Sequence, residues 1–131
     1  MSKPKSLEGF PAELRDHALA FPETTEDFPW GERAFKVRGK AFVFMGSDDG
    51  AISFSVKLPK TGTQALALPF AEPTHYGLGK HGWVTVRPPR RISRALKQQI
   101  FDWVAESYGA VAPAKLAKAA TAARTSSARR N

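Results

Sequence analysis

The sequence predicts an α+β domain: a two-layer sandwich whose twisted antiparallel sheet of about five strands is flanked by helices from the two ends of the chain. Three observations lead there. Apolar residues recur at helical spacing near the N-terminus and again after residue 93. Between these stretches run two-residue alternations separated by Gly-containing turns. Apolar residues make up 42% of 131 positions, enough for one modest core.

Phe10, Leu14, His17/Ala18 and Phe21 form the first stripe, with Pro11 in the opening turn and Pro22 ending it, so a helix is expected over roughly 11–20. Glu26 to Trp30 reads as a short strand at a sheet edge, because Pro29 interrupts it. Ala34–Arg38 and Ala41–Met45 read as a hairpin turning at Gly39-Lys40. That turn pairs Val37 with Phe42 and Phe35 with Phe44 on one face, and sends Lys36, Arg38, Val43 and Met45 to the other. For Ile52 and Phe54 to share the face of Phe42 and Phe44, the next loop needs an odd length, which the three residues Asp48-Asp49-Gly50 supply. Ser53, Ser55 and Lys57 then point outward, and the alternation implies a sheet covered on one side only.

Thr61–Leu68 reads as a short helix closed by Pro69, and Trp83–Arg87 as the last strand. Ser93 is the expected N-cap of a strong helix carrying Leu96, Ile100, Trp103/Val104 and Tyr108, with Gly109 as its terminator. The domain therefore spans residues 1–110. Residues 111–131 are Ala/Ser-rich and basic, with no apolar face large enough to pack, and are expected to form a flexible tail.

With no cysteine, the chain holds no disulfide, zinc ribbon or iron–sulfur cluster. No apolar run approaches a membrane span and no signal peptide is visible, so a cytoplasmic monomer without membrane contact is expected. The net charge of +8 is unevenly placed. Lys115, Lys118, Arg124, Arg129 and Arg130 lie in the tail, and removing those five leaves +3 for residues 1–109. From Pro73 to Phe101 the chain carries six Lys and Arg and no acid, while Glu23, Glu26, Asp27 and Glu32 gather earlier. Such asymmetry suits a polyanion, because cations gain affinity by displacing counterions from phosphates.

The stretch Gly77-Leu78-Gly79-Lys80-His81-Gly82 matches the spacing of a dinucleotide fingerprint. That motif needs a strand before it and a helix after it; here Pro73 precedes and a strand follows, so the glycines shape a turn instead. His75 and His81 have no metal-site spacing and no thiolate to complete a set, so neither a metal nor a cofactor is expected. The early acids have no nucleophile or cofactor beside them, which argues against an enzyme. What remains is the open sheet face. Lys36, Arg38 and Lys57 share it. If Val84 and Val86 point inward, Trp83 and Arg87 join them, with Lys80, Arg90, Arg91 and Arg94 near the rim. These nine are the candidate nucleic-acid contacts, cations for phosphates and Trp83 for stacking on a base. The alternative for Trp83 is burial beneath the glycine-rich loop, which suits its size better.

The segment Leu19-Ala20-Phe21-Pro22-Glu23-Thr24-Thr25-Glu26-Asp27-Phe28-Pro29-Trp30-Gly31, the following Phe35–Phe44 run and the late Lys80…Trp83-Val84-Thr85-Val86 together resemble the MmcQ/YjbR family. The resemblance covers about residues 10–108. It implies a CyaY-like fold and DNA binding through a double-wing arrangement of hairpins. Lys80, Trp83, Thr85 and Val86 match the family pattern, whereas Gly79 and Gly82 stand where many members have Asn and His. The fold is shared with frataxins, but their acidic iron-binding ridge has no counterpart in this basic chain. DNA is thus the expected partner, contacted with little sequence preference; the alternative is a module for an acidic protein or small acidic ligand.

Overall fold

The structure, a computed structural model, describes residues 9–28, 32–48, 51–75 and 78–120. It is α+β, with elements in the order α1 (Phe10–Leu19), β1 (Thr24–Asp27), β2 (Arg33–Val37), β3 (Lys40–Asp48), β4 (Ala51–Lys57), α2 (Gly62–Leu66), β5 (Ala71–Pro73), β6 (Trp83–Val86) and α3 (Arg94–Val111). All strand pairs are antiparallel, and the sheet runs β1-β2-β3-β4-β6-β5. The sheet thus has six strands rather than about five. The addition is β5, three residues long and ending in proline, which an edge strand tolerates because its outer N–H row needs no partner.

The helices cover one face. α1 lies against β1 and α3, while α3 crosses β3 and β4. Leu14 and Ala18 from α1 and Ile100, Trp103, Val104 and Tyr108 from α3 close over Phe35, Val43, Met45, Phe54, Val56, Val84 and Val86. Ser107, wholly buried among them, ties the layers together: its Oγ accepts from the Lys57 amide (2.8 Å) and donates to the Phe42 carbonyl (2.5 Å).

The β2–β3 hairpin turns one residue earlier than expected. Val37 pairs with Lys40, so Arg38-Gly39 is the turn, and both residues have positive φ (52° and 82°). Two left-handed residues make the turn whose twist matches its strands, and glycine stands at the second of them. Arg38 accepts this backbone while its guanidinium holds Glu23, itself at φ 56°, through bonds of 2.6 and 3.0 Å.

A bulge then changes the face of several side chains. Lys36 pairs with Ala41 but Phe35 with Val43, leaving Phe42 as the extra residue. Phe42 still faces the helices, meeting Phe21 and Tyr108, so Phe42 and Val43 are both inward. Met45 follows Val43 inward and Phe44 goes to the open face, the reverse of the sequence expectation. β3 and β4 close at Asp48↔Ala51, a two-residue connection instead of three; Asp49 and Gly50 of the expected turn lie outside the described residues.

Ser93 caps α3 as expected, its Oγ accepting from the Leu96 amide at 3.1 Å. Gly109 does not end the helix. Termination comes at Ala112, whose extended backbone (ψ 151°) is what a residue before proline adopts. Beyond Pro113, residues 114–120 are helical, Leu116 packs against the core and Ala120 is only 6% exposed. The expectation of a non-packing tail from residue 111 is therefore corrected as far as residue 120. Leu116 and Ala120, one helical turn apart, supply the small apolar face. No helix among the described residues is long and apolar enough to cross a membrane.

Candidate nucleic-acid interface

Antiparallel register decides which side chains share the uncovered face. Thr25 and Lys36, Asp27 and Ala34, Ala34 and Phe44, Phe44 and Ser55, Ser55 and Thr85, Lys57 and Trp83, and Glu72 and Thr85 are cross-strand partners. Val84 and Val86 point inward, which meets the condition set from the sequence, so Trp83, Thr85 and Arg87 alternate outward.

The nine residues singled out from sequence divide into three groups. Lys36, Arg38 and Arg87 are held by acids: Lys36 Nζ lies 2.9 Å from Asp27, Arg38 Nε 2.6 Å from Glu23, and Arg87 Nη1 2.6 Å from Glu72. Each carboxylate responds. Hydrogen bonding from Arg38 lowers the Glu23 pKa, hydrogen bonding from Lys36 lowers that of Asp27, and hydrogen bonding from Arg87 lowers that of Glu72. Of the early acids, Glu23 and Asp27 are thus counterions of the hairpin cations Arg38 and Lys36, and Glu26 holds Arg33.

Lys57, Lys80, Arg90, Arg91 and Arg94 form the second group and make no ion pair among the described residues. Arg90 and Arg91 are exposed on the loop joining β6 to α3, where Pro88 and Pro89 exclude regular structure, and Arg94, also exposed, opens α3. Lys57 and Lys80 lie at the opposite end of β6, Lys57 across from Trp83 and Lys80 in a 3-10 turn (Leu78–His81).

Trp83 stands alone. It is 8% exposed and its ring meets Phe44 at 5.5 Å, so it serves as packing and not as a stacking platform. The bulge explains this: by turning Phe44 outward it supplies the ring that covers Trp83.

The glycine-rich stretch is a turn, as its context required; Tyr76 and Gly77 lie outside the described residues. Gly82 has φ 87°, and a Cβ on Gly79 would come within 2.8 Å of the Pro73 Cβ and 3.1 Å of the Thr74 carbonyl. Gly79→Ala should therefore push the turn off β5 and lower stability by about 1–3 kcal/mol in denaturant titrations.

Sequence reasoning missed the polar seam beside this turn. Ser55, Thr85 and Thr74 form a chain of hydroxyls with Oγ separations of 2.8 and 2.9 Å. Glu72 lies between Arg87 and His75, whose Nε2 is 3.6 Å away. Around the seam is a concavity of about 610 Å³ lined by Phe44, Ser53, Ser55, Thr85, Arg87 and Glu32, among others. The period-two alternation already placed Ser53 and Ser55 outward, but nothing in it showed that β5 would bring Glu72 and Thr74 beside them. Among the described residues no three His, Asp or Glu side chains gather as a metal set.

The profile of the YjbR family matches residues 19–110. This chain belongs to the YjbR family. The match takes in β1 through most of α3, and with them both ends of β6 and the arginine loop. A crystal structure of a Pseudomonas syringae protein shares the fold, with a TM-score of 0.53 at 14% identity over 71% of this chain and 93% of that one. A search of curated proteins finds none that matches.

Proposed function

We propose that this YjbR-family chain is a non-enzymatic DNA-binding protein. It holds phosphates through Arg90, Arg91 and Arg94, with Lys57 and Lys80 at the far end of β6, and has little sequence preference. One observation carries the reading: these five cations lack ion-pair partners among the described residues, and four of them, all but Lys57, lie in residues 73–101, which contain no acid. Unpaired exposed cations are the groups that release counterions from phosphates. The reading moves the contact away from the hairpin, since Lys36 and Arg38 already hold carboxylates. The basic residues of 111–131 add long-range attraction.

Titration of a short DNA duplex over a range of salt concentrations tests this. The logarithm of affinity should fall linearly with the logarithm of salt, with a slope magnitude near 0.9 for each phosphate engaged. A saturable partner with weak salt dependence, and no duplex affinity at low salt, would instead favour the acidic-protein reading.

Arg87 supplies a second check, because Glu72 competes with phosphate for it. Glu72→Gln keeps the side-chain shape and removes the charge, so affinity should rise and the salt slope steepen by roughly one contact. Acid should act in the same direction. The lowered Glu72 pKa means that the pair persists at neutral pH and is lost as pH falls through the folded value. Affinity that is unmoved in Glu72→Gln would remove Arg87 from the interface.

A further inference from the structure

The concavity on the open face has features that phosphate binding by the arginine loop does not use. Its volume, about 610 Å³, lies in the range of small-molecule sites. Phe44 lines it and packs against Trp83, the two rings 5.5 Å apart and tilted by 47°. Its polar lining can both donate and accept. The Ser55–Thr85–Thr74 chain contains three hydroxyl protons for two internal bonds, which leaves one proton for a ligand, and either atom can donate within each pair. Ser53 adds a further hydroxyl to the lining, and the Glu32 carboxylate can only accept.

Charge is graded along the cavity. Arg87 stands at its edge with only Nη1 on Glu72, and Arg90 follows three residues later, within about 11 Å along the chain. Glu32 also lines the cavity and disfavours a second anionic group there. A ligand suited to this gradient has a flat ring for Phe44, an edge with both donors and acceptors for the hydroxyls and Glu32, and a single negative charge toward Arg87.

We infer that this cavity receives an unstacked nucleobase of a single strand whose phosphate is held at Arg87 and the arginine loop. The inference rests on the proposed phosphate binding and gives the same surface a preference for single-stranded over duplex DNA. A base inside a duplex is stacked on both faces and cannot enter a cavity, whereas single strands present bases to aromatic rings and hydrogen-bonding edges.

The test uses the full-length chain with four probes: a mixed-sequence single strand, a strand of equal length with a base-free deoxyribose-phosphate backbone, the duplex, and a mononucleotide. The natural strand should bind roughly ten-fold more tightly than the base-free one, because stacking on one ring is worth about that factor. Phe44→Ala should close the gap, and Phe44→Leu, which keeps the apolar floor, should close most of it. Thermal unfolding confirms that each variant is folded. The strand should shift the backbone amide resonances of Ser53, Ser55 and Thr85, and the base-free strand should leave them in place. Arg90→Glu/Arg91→Glu should weaken the natural and base-free strands alike and preserve their ratio. Equal binding of natural and base-free strands, or a gap that survives in folded Phe44→Ala, overturns the pocket while leaving phosphate binding intact. A preserved gap with no effect of the arginine reversals overturns phosphate binding and leaves the pocket. A mononucleotide as tight as the strand overturns the single-strand assignment.

Discussion

Reversing Arg90, Arg91 and Arg94 to glutamate should lower DNA affinity by roughly two to three orders of magnitude near 0.1 M salt. The estimate follows from counterion release: each phosphate contact contributes about 0.9 to the salt slope, so three lost contacts remove about 2.7 of it. Direct repulsion between the new carboxylates and phosphate adds to the loss. The fold should survive, because the three side chains are exposed and make no ion pair among the described residues. Reversing Lys36 and Arg38 should cost less, since their charges already face Asp27 and Glu23. The contrast separates a face that is basic by composition from one whose cations are available.

The largest effect on stability is expected at Tyr108. Its side chain is 1% exposed, stacks on Phe21 at 4.7 Å, meets Phe42 edge-on at 5.2 Å, and donates its hydroxyl to the Pro22 carbonyl at 2.7 Å. It therefore joins α3 to the bulge of β3 and to the turn leaving α1. Tyr108→Ala should cost about 3–5 kcal/mol, as large aromatic truncations in a packed core do. For a domain of ordinary stability that is a third or more of the total. Tyr108→Phe should cost only about 1 kcal/mol, the worth of one hydrogen bond. Alkali distinguishes them further. Burial, and then the charge of Glu23, raise the Tyr108 pKa, so the fold favours the protonated phenol. That contribution is complete below the ordinary tyrosine pKa of about 10 and is lost as pH rises through the folded value. Wild type should thus lose stability above that pH faster than Tyr108→Phe, as measured by denaturant midpoints across the range.

Much of this fold could be read from the chain because β4 alternates strictly and both long helices carry clear apolar stripes. Ile52, Phe54 and Val56 inward, Ser53, Ser55 and Lys57 outward, and the Ser93 cap all follow from periodicity and capping chemistry. The errors of facing on β3 share one cause. A hairpin register rests on which two residues adopt positive φ, and Arg38 gives no sign of it beyond its place before Gly39. Once the turn moves and Phe42 bulges, Phe44 and Met45 exchange faces, and no local pattern reports that. The candidate site was legible as composition and not as pairing. Strand alternation and the acid-free run from residue 73 to 101 identified the cations, but which of them meet acids depends on contacts spanning nine to fifteen residues between strands. The pairs Glu23–Arg38 and Glu72–Arg87 exist because β1 and β5 lie beside β2 and β6, and β5 was too short to be seen.

Under the proposed function Arg90, Arg91 and Arg94, and not the basic C-terminal segment, carry most of the phosphate binding. The most direct measurement compares salt slopes for duplex binding by three full-length proteins: wild type, Arg90→Glu/Arg91→Glu/Arg94→Glu, and a variant with Arg124, Arg129 and Arg130 changed to Gln. The loop variant should lose about three contacts from its slope and most of its affinity, while the C-terminal variant should change modestly. A loop variant with the wild-type slope, alongside a C-terminal variant that no longer binds, would contradict that assignment.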